Sequence, residues 1–380
     1  MKFLHLGDLH IGKRVNEFSM IDDQRAVLDE LVGIAVDEGV DAVIIAGDFY
    51  DRAVPSEQAV GLAGDFLEEL HATGLPVLMI PGNHDSAERL SFLSGIIGGD
   101  GIHIAGPYEG KVEQVVLEDE AGPVAVHLLP YVTPADARRA HPECEAHSFD
   151  EALRAIIERM DIDEGIRNVL VAHQFVLGGA DPIRSDSEQA SIGGLDEVSA
   201  GVFEAFDYVA LGHLHAPQWI VRDKIRYCGS PLKYSFNEVD QRKCANIVEL
   251  RPDGSVRLEQ QPLHAPHDMA ELRGSLPEVR AQAAERPELE DCYMRVVLTE
   301  PVSDAKAKLQ DLFPLLMRVE FDYASEGGTG LARSASEVEK LQPGEVFAEL
   351  FAETNGRDMS ERESEAFDAV LAGMREGGVR

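Results

Sequence analysis

The sequence predicts an α/β protein built on a parallel sheet, with a small α+β module and a helical tail behind it. Three observations carry that prediction. Short apolar runs alternate with amphipathic helical stretches from residue 1 to about 265. The first three runs are joined by helices in β-α-β-α-β order, and such crossovers make the strands parallel neighbours. A break at Pro262–Pro266 then precedes a strand–helix–strand pattern and the Gly-rich stretch 327–330.

Taken in order, Phe3–Leu6 reads as a buried strand, and a helix over Asp22–Val36 puts Val27, Leu28, Leu31 and Ala35 on one stripe. Val40–Ala46 is the second strand. Ser56 caps a second helix that runs to His71, and Gly74-Leu75-Pro76 ends it before the strand Val77–Ile80. Val112–Leu117 and Val124–Leu129 form a hairpin about Ala121-Gly122. A helix over Phe149–Met160 leads to the strand Val169–Ala172. The loop from Gly178 to Gly194 is long and polar, a length that points to function. Tyr208–Leu211 is another strand. Trp219–Val221, Ile225–Tyr227, Ala245–Leu250 and Val256–Glu259 read as a meander. Beyond the break, strands Tyr293–Leu298 and Met317–Phe321 flank a helix over Ser303–Leu312. Two amphipathic helices, Pro343–Phe351 and Ser360–Met374, close the chain, the second opened by the Ser360/Glu363 capping pattern.

With 380 residues, 44% hydrophobic and 27% charged, the chain has the make-up of a soluble globular protein of two or three domains. No apolar run approaches the ~20 residues a membrane span needs, and no signal peptide is visible. The four cysteines lack any C-x-x-C spacing, as expected of reduced core thiols in a cytoplasmic protein. The net charge of -35 is spread along the chain: residues 1–265 carry 45 acidic against 21 basic side chains, the remainder 24 against 13. Such a surface repels nucleic acid at long range, so unaided DNA binding is disfavoured.

The residues just past each strand carry the chemistry. Asp8 and His10 follow the first, Asp48 the second, Asn83 and His84 the third. His173 follows Val169–Ala172, and His213 and His215 follow Tyr208–Leu211. Ligands of open α/β sheets bind beyond the carboxyl ends of the strands, so these side chains face one crevice. Gly7, Gly47, Gly82 and Gly212 stand where the chain must turn. Oxygen and imidazole donors without thiolate favour Mn, Fe, Mg or Zn in a catalytic site. The donors exceed what one ion needs. Two ions about 3.5–4 Å apart, bridged by a carboxylate, use them all and suit phosphoryl displacement by water.

In this order G-D-L-H, G-D-F-Y-D, G-N-H-D, A-H and G-H-L-H resemble the calcineurin-like metallophosphoesterases. The finer match is to the bacterial SbcD nucleases. It rests on Ser185-Asp186-Ser187-Glu188, Ile192-Gly193-Gly194, Arg226-Tyr227-Cys228-Gly229-Ser230-Pro231 and Ser235-Phe236-Asn237-Glu238. The resemblance implies a four-layer αββα sandwich over 1–265. It also implies a capping domain over 266–326, a linker over 327–340 and a helical tail over 341–380. Asp8, His10, Asp48 and His215 then hold one ion, and Asp48, Asn83, His173 and His213 the other, manganese being the expected metal. His84 resembles the proton donor to the leaving oxygen, and Asp85 either orients it or stabilises the turn. Asp51 stands where many archaeal and eukaryotic relatives have a second histidine, and receives no catalytic role.

Further expectations are an exonuclease on double-stranded ends, an endonuclease on single strands or hairpins, and a homodimer within a heterotetramer with an SbcC-type ABC ATPase. Lys13, Arg14, Arg52, Arg89, Arg184, Lys233, Arg242 and Lys243 are candidate DNA contacts. Tyr234 and Phe236 either stack on a DNA end or pack in the core. The stripe Val346, Phe347, Leu350, Phe351, Phe367 and Leu371 either docks on the ATPase or packs on its own cap. Two rivals stay open: a metallophosphoesterase for phosphoproteins or cyclic nucleotides, and a scaffold with weak catalysis.

Overall fold

The central strands are apolar on both faces because each sheet is covered twice. The computed structural model describes residues 1–322 except 93, 179–181 and 189–195. Beyond these it describes 348, 351, 352, 357, 359, 360, 362–364 and 367. One six-stranded sheet runs in the order Val256–Pro262, Cys244–Leu250, Lys2–Leu6, Ala42–Ala46, Val77–Ile80, Ile102–Ile104. A second runs Gln218–Val221, Ile225–Tyr227, Tyr208–Gly212, Arg167–His173, Gly122–Leu128, Glu113–Asp119.

Alternate residues of each strand enter different cores. Phe3, Ile44, Leu78, Val126, Val169 and Ala210 meet between the sheets. Leu4, Val43 and Met79 face outward onto Val27, Leu31 and Phe66, from helices Ile21–Asp37 and Glu57–Ala72. Leu170 and Leu211 face Leu153 and Ile156 of helix Phe149–Ile157. The result is the αββα sandwich. The expected meander is not formed. Gln218–Val221 and Ile225–Tyr227 extend the second sheet, whereas Cys244–Leu250 pairs antiparallel with Lys2–Leu6 in the first.

A third sheet is wholly parallel: Met269–Gly274, Tyr293–Leu298 and Leu316–Phe321. Helices Leu276–Glu285 and Ala305–Gln310 cover it around Val279, Val296 and Phe313. Buried Asp23 ties it to the first helix, accepting from the Tyr293 hydroxyl at 2.6 Å and the His267 N–H at 3.0 Å. Contacts divide the chain into the units Met1–Phe321 and Asp322–Arg380. Among the described residues no helix is long and apolar enough to cross a membrane.

Candidate metal centre

Past the sheet ends, the first two parallel strands stay paired. The Asp8 N–H donates to the Gly47 carbonyl at 3.1 Å and the His10 N–H to the Asp48 carbonyl at 2.9 Å. Turning while paired puts Asp8, His10 and Asp48 at φ of 51°, 46° and 47°, and His213 lies at 107°. Each such non-glycine residue costs of order 1–3 kcal/mol, a strain that clusters at functional sites. The exit glycines mostly serve another purpose than the sharp turns expected of them. Gly47 does turn with φ of 86°. At Gly7, however, a Cβ would meet Cys228 Sγ at 2.8 Å, at Gly82 the Asp48 carboxylate, and at Gly212 the Ala46 carbonyl.

Those close approaches bring the seven expected ligands together. Asp48 Oδ2 stands 3.6 Å from His10 Nε2 and 3.3 Å from His173 Nε2, between the two groups. On one side His10 Nε2 faces His215 Nε2 at 3.1 Å. On the other Asn83 Oδ1 lies 2.9 Å from His173 Nε2 and 3.2 Å from His213 Nδ1. Asp8 Oδ1 accepts the His213 N–H at 2.8 Å. Three sets of donor atoms cluster closely enough for a cation: Asp8/His10/His215, Asp8/Asp48/His173 and, at the edge, His10/Asp48/His84. Ligands held about 2.1 Å from an ion stand roughly 3.0–3.4 Å apart, and the ligand-atom spacings above run from 2.9 to 3.6 Å.

Charge points the same way. Burial pushes the Asp8 carboxyl well above its usual range, and neighbouring Asp48 adds to this. Burial would raise Asp48 too, but the imidazoles of His173, His10 and His84 outweigh it and hold it well below. Burial likewise opposes protonation of His173, yet Asp48 holds it up at about 9. His10, His213 and His215 are lowered chiefly by burial, His213 to about 3, so their lone pairs are free to coordinate. Burial penalises a charged Asp8, and a divalent cation beside it would offset that cost and displace the proton from His173.

His84 is half-buried at the edge of this group. Its backbone N–H donates to Asp48 Oδ1 at 2.9 Å, and its Nδ1 donates to the Asp51 carbonyl at 3.0 Å. The orienting contact on its ring is therefore Asp51, not Asp85. Asp85 instead clamps two loops, accepting the N–H groups of Phe49, Tyr50 and Gly82 at 2.8–3.0 Å. Of the two roles expected for Asp85, these contacts match the turn-stabilising carboxylate.

The candidate DNA contacts divide. Tyr234 is buried, its hydroxyl donating to the Leu9 carbonyl at 2.5 Å, so it belongs to the core. Phe236 is buried beneath the Arg295 guanidinium. Lys243 is buried against Glu238 at 2.7 Å. Lys13 pairs with Asp51, and Lys233 with Asp268 and the Val239 carbonyl. Arg14, Arg52, Arg89, Arg184 and Arg242 are exposed, Arg184 lying over Phe175 at 4.0 Å. Val346, Phe347, Leu350 and Leu371 of the tail stripe lie outside the described residues. Phe351 and Phe367 are half-buried. Ser187, Glu188 and Glu238 contact or approach His215 and were given no part in the site by the sequence, although they lie in the motifs singled out there.

A two-sheet sandwich with these side chains at the strand exits defines a metal-dependent phosphoester hydrolase. The chain belongs to the calcineurin-like phosphoesterase family, whose model matches residues 1–217. Residues 265–355 match the family described as type 5 capsule protein repressor C-terminal domain. Two relatives are named as the SbcD component of the nuclease SbcCD. That of Staphylococcus epidermidis is 28% identical over 98% of both chains, and that of Staphylococcus saprophyticus 28% over 100% of both. Among solved structures, a dimetal phosphatase from Danio rerio is 13% identical, covering 69% of this chain and 96% of that one, with a TM-score of 0.40.

Proposed function

We propose that this chain is an SbcD-like nuclease component that hydrolyses DNA phosphodiesters at the Asp48-centred site. The convergence of both ligand groups on one oxygen, Asp48 Oδ2, carries the reading. The two full-length relatives named as nuclease components support it. Asp8, His10, Asp48 and His215 would hold one cation, and Asp48, Asn83, His173 and His213 the other, with manganese as the resident metal. Two divalent cations supply Lewis acidity, lowering the pKa of water and screening phosphate charge. The chain's own residues supply the rest. His84 keeps Nδ1–H on the Asp51 carbonyl in every protonation state, which aims Nε2 away from that carbonyl. As an imidazolium it delivers the Nε2 proton to the leaving 3′ oxygen, whose expulsion as alkoxide would otherwise be slow. Asp85, by tying residues 49–50 to Gly82, fixes the two loops that carry Asp48 and His84.

The reading includes exonuclease action on double-stranded ends and endonuclease action on single strands or hairpins. Its domains are 1–265 for catalysis, 266–326 as cap, 327–340 as linker and 341–380 as the segment that binds an SbcC-type ATPase. A homodimer of this chain completes the assembly. Of the candidate contacts, Arg14, Arg52, Arg89, Arg184 and Arg242 are the exposed cations left to meet DNA. With so few, affinity for DNA comes largely from the partner. The acidic surface favours a second reading, a phosphoesterase for phosphoproteins or cyclic nucleotides. One assay separates them: plasmid and hairpin DNA with manganese, beside a phosphopeptide and a cyclic nucleotide. His84→Gln is expected to abolish DNA cleavage while manganese binding persists. Undiminished cleavage by that variant rejects the assignment of the proton donor.

A further inference from the structure

Two motifs outside the ligand set, Ser185–Glu188 and Ser235–Glu238, come together around one ligand. His215 is gripped three ways. Its Nδ1 lies 2.7 Å from Ser187 Oγ, its backbone N–H donates to Glu188 Oε1 at 2.7 Å, and its carbonyl accepts from Lys243 Nζ at 2.9 Å. Behind Ser187 stands Glu238, fully buried. Its Oε1 accepts from Ser187 Oγ at 2.7 Å and Ser185 Oγ at 2.5 Å, and its Oε2 from Lys243 Nζ at 2.7 Å.

We propose that Ser187 and Glu238 are positioning residues forming a relay that sets the tautomer of His215 and so presents its bare Nε2 to the cation shared with His10. The inference rests on reading the site as a metal centre. Proton counting gives the direction. The Glu238 carboxylate, paired with Lys243, has no hydrogen to give. Ser187 has one hydroxyl hydrogen, and the 2.7 Å contact with Glu238 requires it there. The Ser187 oxygen can then only accept from His215, so Nδ1 carries the proton and Nε2 does not. The reverse orientation would leave two oxygens 2.7 Å apart with no hydrogen between them. His173 reaches the same state by a different route, donating Nδ1–H to the Ala46 carbonyl at 2.8 Å. Imidazole ligands generally have their second nitrogen fixed in this way, and losing that partner costs about 10–100-fold in metal affinity.

The test uses the full chain with its histidines labelled with ¹⁵N. Ring spectra of the metal-free protein identify His215 by its absence in His215→Gln, and manganese binding is titrated by EPR. The expected result is an Nδ1–H tautomer in the native protein, lost in Ser187→Ala, with one manganese site weakened about 10–100-fold. Ser187→Thr, which keeps the hydroxyl, restores both. Glu238→Gln sharpens the test: its amide donates to Ser187, whose hydrogen is then released toward Nδ1 or the Ser185 hydroxyl 2.8 Å away, and His215 loses its fixed Nδ1–H. An unchanged tautomer and unchanged manganese affinity in Ser187→Ala overturn the relay and leave the metal reading intact. A native protein that binds no manganese overturns the reading beneath it.

Discussion

The two sides of the candidate centre are held by different means. Around Asn83, His173 and His213 the supports are strand backbone: the Ala46 carbonyl holds the His173 ring, and Gly82 and Gly212 let neighbouring chains close in. Around His10 and His215 the supports are side chains from other segments, namely Gln24 of the first helix and Ser187, Glu188, Glu238 and Lys243 from distant loops. Gln24 Nε2, for example, donates to the His10 carbonyl at 2.7 Å. Topology alone thus builds one half of the site, whereas the other half depends on buried polar groups that must all be satisfied together.

Asp48 belongs to both halves, so changing it erases the difference. Asp48→Asn is expected to lose more activity than the ~100-fold upper end for changing an outer partner. Equilibrium titration should show both manganese sites weakened. A variant that lost only one ion would mean that Asp48 does not join the two sides.

Lys243→Met addresses the loop-held half. It leaves Glu238 buried without its counter-charge, and breaking such a pair by removing one member costs about 3–5 kcal/mol. Urea denaturation of the full chain measures this, and Lys243→Met with Glu238→Gln should recover much of the loss. Gly212→Ala addresses the strand-held half. The new Cβ would strike the Ala46 carbonyl and approach His173 Nδ1 to 2.9 Å. Overpacking of this kind costs about 1–3 kcal/mol, smaller than the loop-side effect. Equal losses from the two variants would remove the distinction between the halves.

The same distinction explains what the sequence disclosed. The strand-held ligands follow apolar runs such as Val169–Ala172, and position in the run suffices to aim His173. The loop supports lie 51 residues apart in Ser187 and Glu238, and nothing local announces that contact. Lys243 reads as a surface contact, and Tyr234 as either that or core, because burial there is decided by tertiary partners, Glu238 and Leu9. The meander failed for a similar reason: local alternation gives a strand but not the sheet it joins. The strand Met269–Gly274 was missed because Ala-Glu-Leu-Arg favours helix, and pairing with Tyr293–Leu298 overrides that preference. The helix Pro134–Ala140, by contrast, carries a readable signal in Thr133, Pro134 and Asp136, which form a capping box.

The mildest test concerns a histidine that no cation claims. His5 sits between the sheets, fully buried, with Nδ1 2.8 Å from the Tyr208 hydroxyl. Burial, aided by the Arg226 charge, lowers its pKa from 6.5 to about 3. Between those values the unfolded chain binds a proton at this position and the folded chain does not. Stability therefore falls as pH drops through the window, and it is fully present above pH 6.5. The slope from this one group is about 1.4 kcal/mol per pH unit. His5→Gln can keep a hydrogen bond to Tyr208 but cannot titrate. Urea unfolding of both proteins between pH 7 and pH 5, with metal chelated, should show the variant losing less stability by roughly that slope. Parallel pH dependences would mean that His5 is protonated in the fold, and that burial between these sheets does not by itself hold an imidazole neutral.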